Sequence, residues 1–120
     1  MSTLSPLNQQ TLDQLHALET DSPGLTRELI RLFVADAPKQ MRLIEDAYAK
    51  RDPEGVRQSA HFLRSGALVL GLTWLAERSN VLQHLALDQY GLTEADELLA
   101  QVRGELHRIL LALLAQLQSG

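Results

Sequence analysis

Residues 53–71 of this 120-residue chain read PEGVRQSAHFLRSGALVLG, a segment whose apolar side chains recur at helical spacing. On a helical wheel of about 100° per residue, five of them fall within an arc of about 80°, the width of a stripe that faces a core. The five are Val56, Ala60, Leu63, Ala67 and Leu70. Asp52 followed by Pro53 is typical of a helix start, and Gly71 of a helix end, so the segment predicts one amphipathic helix.

The same spacing of apolar residues extends in both directions from this helix. It predicts three further helices at roughly residues 25–48, 73–85 and 93–117, and Pro38 is expected to bend or interrupt the first of them. No strand-like alternation is visible, and aromatic residues make up only 4% of the chain. We therefore expect an all-α protein, an antiparallel four-helix bundle of up-down-up-down order, with a short additional N-terminal helix at about residues 8–18.

Length and composition favour one small domain and argue against several classes of protein. A chain of this length fits a single domain over residues 1–120, with its core at about 25–117 and a short helix and link at 1–21. The formal net charge of −4 argues against a nucleic-acid binder, and the absence of cysteine excludes disulfides and thiolate metal sites. No apolar run approaches the roughly 18 residues of a membrane span, so we expect a soluble, cytoplasmic protein without a membrane partner.

The histidine of the central segment falls outside the apolar stripe. His61 lies about 140° from the centre of the stripe, so it is expected to project into solvent. An imidazole, with an ordinary pKa of about 6.5, is a nitrogen nucleophile near neutral pH and can carry a phosphoryl group. Arg64, one turn later, can pair with phosphate oxygens, and Ser65 can donate a hydroxyl hydrogen bond. Arg57 and Leu68 lie on the same side and are suited to contacting a partner.

Small residues surround this histidine in the sequence. Ala60 precedes it, and Ser65, Gly66 and Ala67 follow. A glycine inside a helix costs roughly 1 kcal/mol relative to alanine, and no stabilising reason for Gly66 is visible in the sequence. An exposed histidine beside an arginine is by itself an ordinary surface feature. We interpret the small residues as clearing space around the imidazole, which favours a functional histidine.

Residues 60–64, AHFLR, with Leu-Gly at 70–71, resemble the signature of histidine-containing phosphotransfer (HPt) domains, approximately A-H-x-L-K-G-S followed by L-G. The resemblance covers about residues 25–117, including the helix that leads to the proline and the charged turn at 50–52. It implies a four-helix bundle whose exposed histidine accepts a phosphoryl group from a receiver-domain aspartate and passes it to another receiver.

Under this resemblance His61 is the phosphoacceptor, and Arg64 replaces the family's lysine. Ser65 and Gly66 reverse the family's glycine-serine order, and since that glycine admits the partner closely, Ser65 is expected to slow or redirect transfer. The implied partners are response-regulator receiver domains or a hybrid sensor histidine kinase, with Mg²⁺ on the receiver and no cofactor on this chain. We expect a monomeric phosphocarrier, not an enzyme, since the sequence has no P-loop.

Two alternatives stay open on the sequence. The first is a non-transferring adaptor that binds a receiver or a kinase, which the departure at Ser65 motivates. The second is a metal-binding or purely structural bundle. Asp13 and His16 have a spacing that can chelate a metal, but no further ligands are evident, and the chain has no Glu-x-x-His pair of the kind that builds di-metal sites in bundles. The histidines His16, His84 and His107 are expected to be ordinary surface or partly buried side chains.

Overall fold

The computed structural model describes residues 24–119, and their regular structure is helical throughout, without strands. This part of the chain contains four α-helices, α1 (Leu25–Ala49), α2 (Pro53–Val69), α3 (Thr73–Gln83) and α4 (Thr93–Ser119), and a 3₁₀ helix at Leu87–Gln89. The predicted all-helical class is confirmed. The helix expected at residues 8–18 and the spacing of Asp13 and His16 lie outside the described residues. Within residues 24–119, no helix combines the length and the hydropathy of a membrane-spanning segment.

The ends of α2 follow the signals read from the sequence. The Asp52 carboxylate accepts a hydrogen bond from the Gly55 N–H at 3.2 Å, and Pro53 occupies the first helical turn, where its missing N–H costs nothing. Beyond the other end, Gly71 has a left-handed backbone with φ 71°, and its N–H donates to the Leu68 carbonyl at 3.1 Å. This bond belongs to a Schellman-type stop, which favours glycine at that position.

Pro38 lies inside α1, which runs unbroken from residue 25 to residue 49. The sequence predicts a bend or an interruption here, and no interruption occurs. A proline removes a single helical N–H, whereas Phe33 and Ala37 before it and Met41 and Ile44 after it are all buried in one core. The burial of both halves keeps the helix continuous.

The core of the molecule lies beneath α2, which packs against α1 on one side and against α3 on the other. All five residues of the predicted α2 stripe are at most 1% exposed. They join a cluster to which α4 contributes Val102, Leu106 and Leu113. With one face of α2 buried in this way, its opposite face is held at the surface.

Hydrogen bonds join α1 and α4 at opposite ends. Near the start of α1, the Arg27 guanidinium donates to the Leu117 carbonyl, close to the end of α4, at 2.7 Å. Near the end of α1, the Tyr48 hydroxyl donates to the Asp96 carboxylate, close to the start of α4, at 2.6 Å. The start of each helix therefore lies beside the end of the other.

Candidate functional site

His61 lies on the exposed face of α2, along a crest between two grooves. Phe62 lines a groove between α1 and α2, whereas Arg64 and Leu68 line a groove between α2 and α3. Since the side chains of a helix project in turn around its axis, the imidazole stands between these two sets. It makes no hydrogen bond within residues 24–119, and its ring centroid is 6.3 Å from that of Phe62. The side chain is exposed to solvent.

Arg64 follows His61 by one helical turn and is half-buried at the edge of the α2–α3 groove. Within the described part of the chain, its guanidinium makes neither an ion pair nor a hydrogen bond. Ser65, one position further, is exposed. Arg64 is thus a cation without an ion-pair partner, one helical turn from His61, and a guanidinium of this kind can bind the oxygens of a phosphoryl group.

Arg57, the second arginine singled out in the sequence, has a different environment. Its guanidinium pairs with Glu54 through two hydrogen bonds, Nε to Oε1 at 3.0 Å and Nη2 to Oε2, and Gln58 donates to the same carboxylate at 3.2 Å. The hydrogen bonds between Arg57 and Glu54 lower the pKa of the Glu54 carboxyl group and raise the pKa of the Arg57 guanidinium. The positive charge of Arg57 is therefore already compensated, unlike that of Arg64.

The groove between α2 and α3 has a volume of about 250 Å³. Leu68, expected from the sequence to be an exposed apolar residue, is 55% exposed at its edge. Glu77 and Asn80 of α3 lie across the groove from α2. This side of the crest therefore combines apolar and charged groups.

The groove between α1 and α2 is larger, about 430 Å³, and almost entirely apolar. Phe62 at its rim is 61% exposed. No sequence prediction concerned this surface. A signal was present, because Phe62 and Val69 are apolar residues that fall about 120° or more from the centre of the core stripe. Two large apolar residues outside the stripe indicate a second contact surface on α2.

Gly66 faces α1, and the interpretation that it clears space around His61 is wrong. A Cβ atom at this position would lie 3.0 Å from Cδ1 and 3.3 Å from Cε1 of Phe33. Ala60 and Ala67 are likewise buried in the core. These small residues let α2 pack closely on its neighbours. Among the four small residues around His61, only Ser65 is exposed.

The other histidines of the described chain have unremarkable surroundings. His84 and His107 are exposed, and the His84 ring nitrogen Nδ1 lies 2.8 Å from the Asn80 carbonyl oxygen. His16 lies outside the described residues. No group of His, Cys, Asp and Glu side chains within residues 24–119 could hold a metal ion.

Comparison with known protein families assigns this arrangement to a family. The family model of the Hpt domain matches residues 28–119. The chain belongs to the Hpt domain family. Hpt domains take part in histidine phosphotransfer in two-component phosphorelays, where they work with receiver domains and kinases as phosphocarriers and not as enzymes.

A solved structure shares the fold of this Hpt domain. Histidine-containing phosphotransfer protein B of Pseudomonas aeruginosa PAO1 is 20% identical, with a TM-score of 0.80, and the alignment covers 98% of this chain and 99% of that chain. Among curated protein sequences, none matches this chain. The similarity to the solved structure extends to the overall helical fold.

Proposed function

We propose that this Hpt domain is a phosphorelay intermediate in which His61 accepts a phosphoryl group from the aspartyl phosphate of one receiver domain and passes it to the aspartate of another. The observation that carries the proposal is the exposed imidazole on the crest of α2, one turn from the unpaired guanidinium of Arg64. A nucleophile and a phosphate-binding cation on one rigid helix suit phosphoryl transfer, in which catalysis is mostly positioning and electrostatic stabilisation.

The transfer step uses the lone pair of a ring nitrogen of His61. This nitrogen attacks phosphorus, and a P–N bond forms as the P–O bond to the aspartyl carboxylate breaks, so the carboxylate leaves with the bonding electrons. The imidazole then carries a positive charge, which it loses when its second nitrogen releases a proton to water. Arg64 pairs with the phosphoryl oxygens, and Ser65 donates a hydrogen bond to one of them. The receiver supplies the aspartate and Mg²⁺, so this chain needs no cofactor.

The same proposal extends to partners and assembly. Leu68 and Arg57 contact the receiver domain or the hybrid sensor kinase, and the chain acts as a cytoplasmic monomer. Residues 25–117 form the core of a single antiparallel, up-down-up-down bundle. The hydrogen bonds between opposite ends of α1 and α4 support the antiparallel order.

The test is incubation of the chain with phosphorylated receiver domains from the same genome. We expect His61 to become labelled, with a phosphate that is labile in acid and stable in alkali. His61→Gln should abolish labelling, and His107→Gln, which changes an exposed histidine on α4, should leave it intact. Equal labelling of His61→Gln and the wild-type chain would contradict the proposal.

A second candidate function is that of an adaptor that binds a receiver or a kinase without being phosphorylated. The exposed Ser65, which stands where the family has glycine, favours it, because a side chain there obstructs the approach of a partner to His61. Saturable receiver binding without transfer, unaffected by His61→Ala, would establish this function instead.

A further inference from the structure

The apolar groove between α1 and α2 contains a single charged side chain, Asp36. Ten residues line the groove, and the other nine are leucine, phenylalanine, alanine, valine or glycine. Phe62 on α2 and Leu32 on α1, at its rims, are 61% and 58% exposed. Large apolar side chains exposed around a groove favour a contact with another molecule.

The carboxylate of Asp36 is oriented but not neutralised. Its oxygens lie 3.3 and 3.5 Å from the Nε2 donor of Gln40, whose side chain belongs to a residue only 8% exposed. No arginine, lysine or histidine nitrogen of residues 24–119 lies within 4.0 Å of this carboxylate. By contrast, Glu28 on the same helix is paired with Arg31 at 3.8 Å. Asp36 is exposed and therefore offers an uncompensated negative charge to a partner at the lining of an apolar groove.

The position of the groove determines what can reach it. Phe62 adjoins His61 in the sequence and lines the groove on the α1 side of the crest. A receiver domain that brings its phosphorylated aspartate to the His61 nitrogen must lie over the crest, and its contact surface then extends over Phe62. A groove between two helices accepts the apolar face of a third helix.

We propose that this groove receives a receiver-domain helix with an apolar face and one lysine or arginine, and that Asp36 selects the partner by pairing with that cation. This inference rests on the proposed function, because the approach to His61 brings the receiver to the groove. The apolar face supplies affinity through burial. The ion pair supplies specificity, because a helix with an acidic residue at the same place meets a like charge.

The test is a charge-reversal cycle measured by binding, without phosphoryl transfer. With a receiver domain that binds the wild-type chain, Asp36→Lys is expected to raise the dissociation constant by about 10-fold or more, and Asp36→Asn by a smaller factor. Glu28→Lys is the matched control, since it makes the same change in net charge on the same helix outside the groove lining. It should leave the dissociation constant within about 3-fold of wild type.

The second half of the cycle changes the receiver. Among its lysine-to-glutamate and arginine-to-glutamate variants, one should bind the wild-type chain weakly and recover affinity for Asp36→Lys. The inference is overturned if Asp36→Lys and Glu28→Lys bind the receiver with the same dissociation constant. It is also overturned if no receiver variant restores the binding of Asp36→Lys. It is also overturned if the wild-type chain self-associates through this groove and Asp36→Lys abolishes the dimer. Failure of every receiver to label His61 would instead contradict the proposed function, and the binding cycle can be read independently of that result.

Discussion

Gly66 of α2 and Phe33 of α1 are in such close contact that a Cβ atom on the glycine would lie 3.0 Å from Cδ1 of the aromatic ring. Phe33 is buried, and both residues line the apolar groove beside His61. The glycine that departs from the family's order therefore sets the distance between the helix that carries His61 and α1.

Replacement of this glycine tests the packing directly. We expect Gly66→Ala to lower the free energy of unfolding by about 1 kcal/mol, because overpacking costs about 1–3 kcal/mol and the gain in helix propensity is only about 1 kcal/mol. Urea unfolding measures the change. Gly104→Ala is the control, since a Cβ on Gly104 meets no atom within 4 Å, and it should stabilise α4 by about 0.5–1 kcal/mol. A stabilised Gly66→Ala would show that Phe33 moves aside.

The two arginines near His61 are expected to differ in their effect on transfer. Arg64→Ala should slow phosphoryl transfer from a receiver about 10- to 100-fold, since hydrogen bonds to charged groups contribute about 1.5–3 kcal/mol. Arg57→Ala should change the rate less than about 5-fold, because its charge is compensated by Glu54 at an exposed site. Single-turnover transfer to each variant gives the rates. Similar losses in both variants would contradict the assignment of phosphate binding to Arg64.

Ser65 has two opposing effects that substitutions can separate. Ser65→Ala removes the hydroxyl and keeps the Cβ, so loss of about 1 kcal/mol of hydrogen bonding should slow transfer about 5-fold. Ser65→Gly also removes the obstruction to the partner and should transfer faster than Ser65→Ala, while losing about 0.5 kcal/mol of helix stability. The same single-turnover assay compares them. An unchanged rate in Ser65→Ala would remove the hydroxyl from the mechanism.

Tyr48 connects the end of α1 with the first turn of α4 and with the segment before it. Its hydroxyl donates to Asp96 at 2.6 Å and accepts from the Gly91 N–H at 2.9 Å, and its ring stacks on Tyr90 with centroids 4.8 Å apart. Burial, and then the hydrogen bond to Asp96, raise the pKa of Tyr48. Burial also raises the pKa of Tyr90. Both phenols therefore favour the protonated form in the folded state.

This raised pKa predicts a loss of stability in alkali. Below the ordinary tyrosine pKa of about 10, the contribution of Tyr48 to the free energy of unfolding is complete. This contribution is lost as the pH rises through the raised pKa of the folded state, because in that range the folded chain holds a proton that the unfolded chain releases. Urea unfolding between pH 7 and pH 11 measures it. Tyr48→Phe should cost about 1–2 kcal/mol at neutral pH and should flatten the alkaline decline, leaving the part due to Tyr90. If the free energy of unfolding of Tyr48→Phe declines with pH as steeply as that of the wild-type chain, Tyr48 does not contribute to the alkaline loss of stability.

Much of the helical structure was predictable because the interactions that define a helix are local. The α2 stripe is buried as its spacing predicts, and the capping carboxylate of Asp52 and the left-handed Gly71 stand at the ends of the helix as expected. The exposed position of His61 follows from the same periodicity, because an apolar stripe on one side of a helix leaves the opposite side in solvent. The family resemblance then connects this exposed histidine with phosphotransfer.

The surroundings of the histidine depend on residues far away in the chain. Gly66 owes its place to Phe33, and the groove that contains Asp36 exists because α1 lies against α2. The difference between Arg57 and Arg64 was readable from the sequence, because Glu54 lies three residues before Arg57, whereas no carboxylate lies three or four residues from Arg64. Helical periodicity specifies which way a side chain points, but the packing of helices decides what it contacts there. That packing brings together residues that are far apart in the sequence, so their contact cannot be read from it.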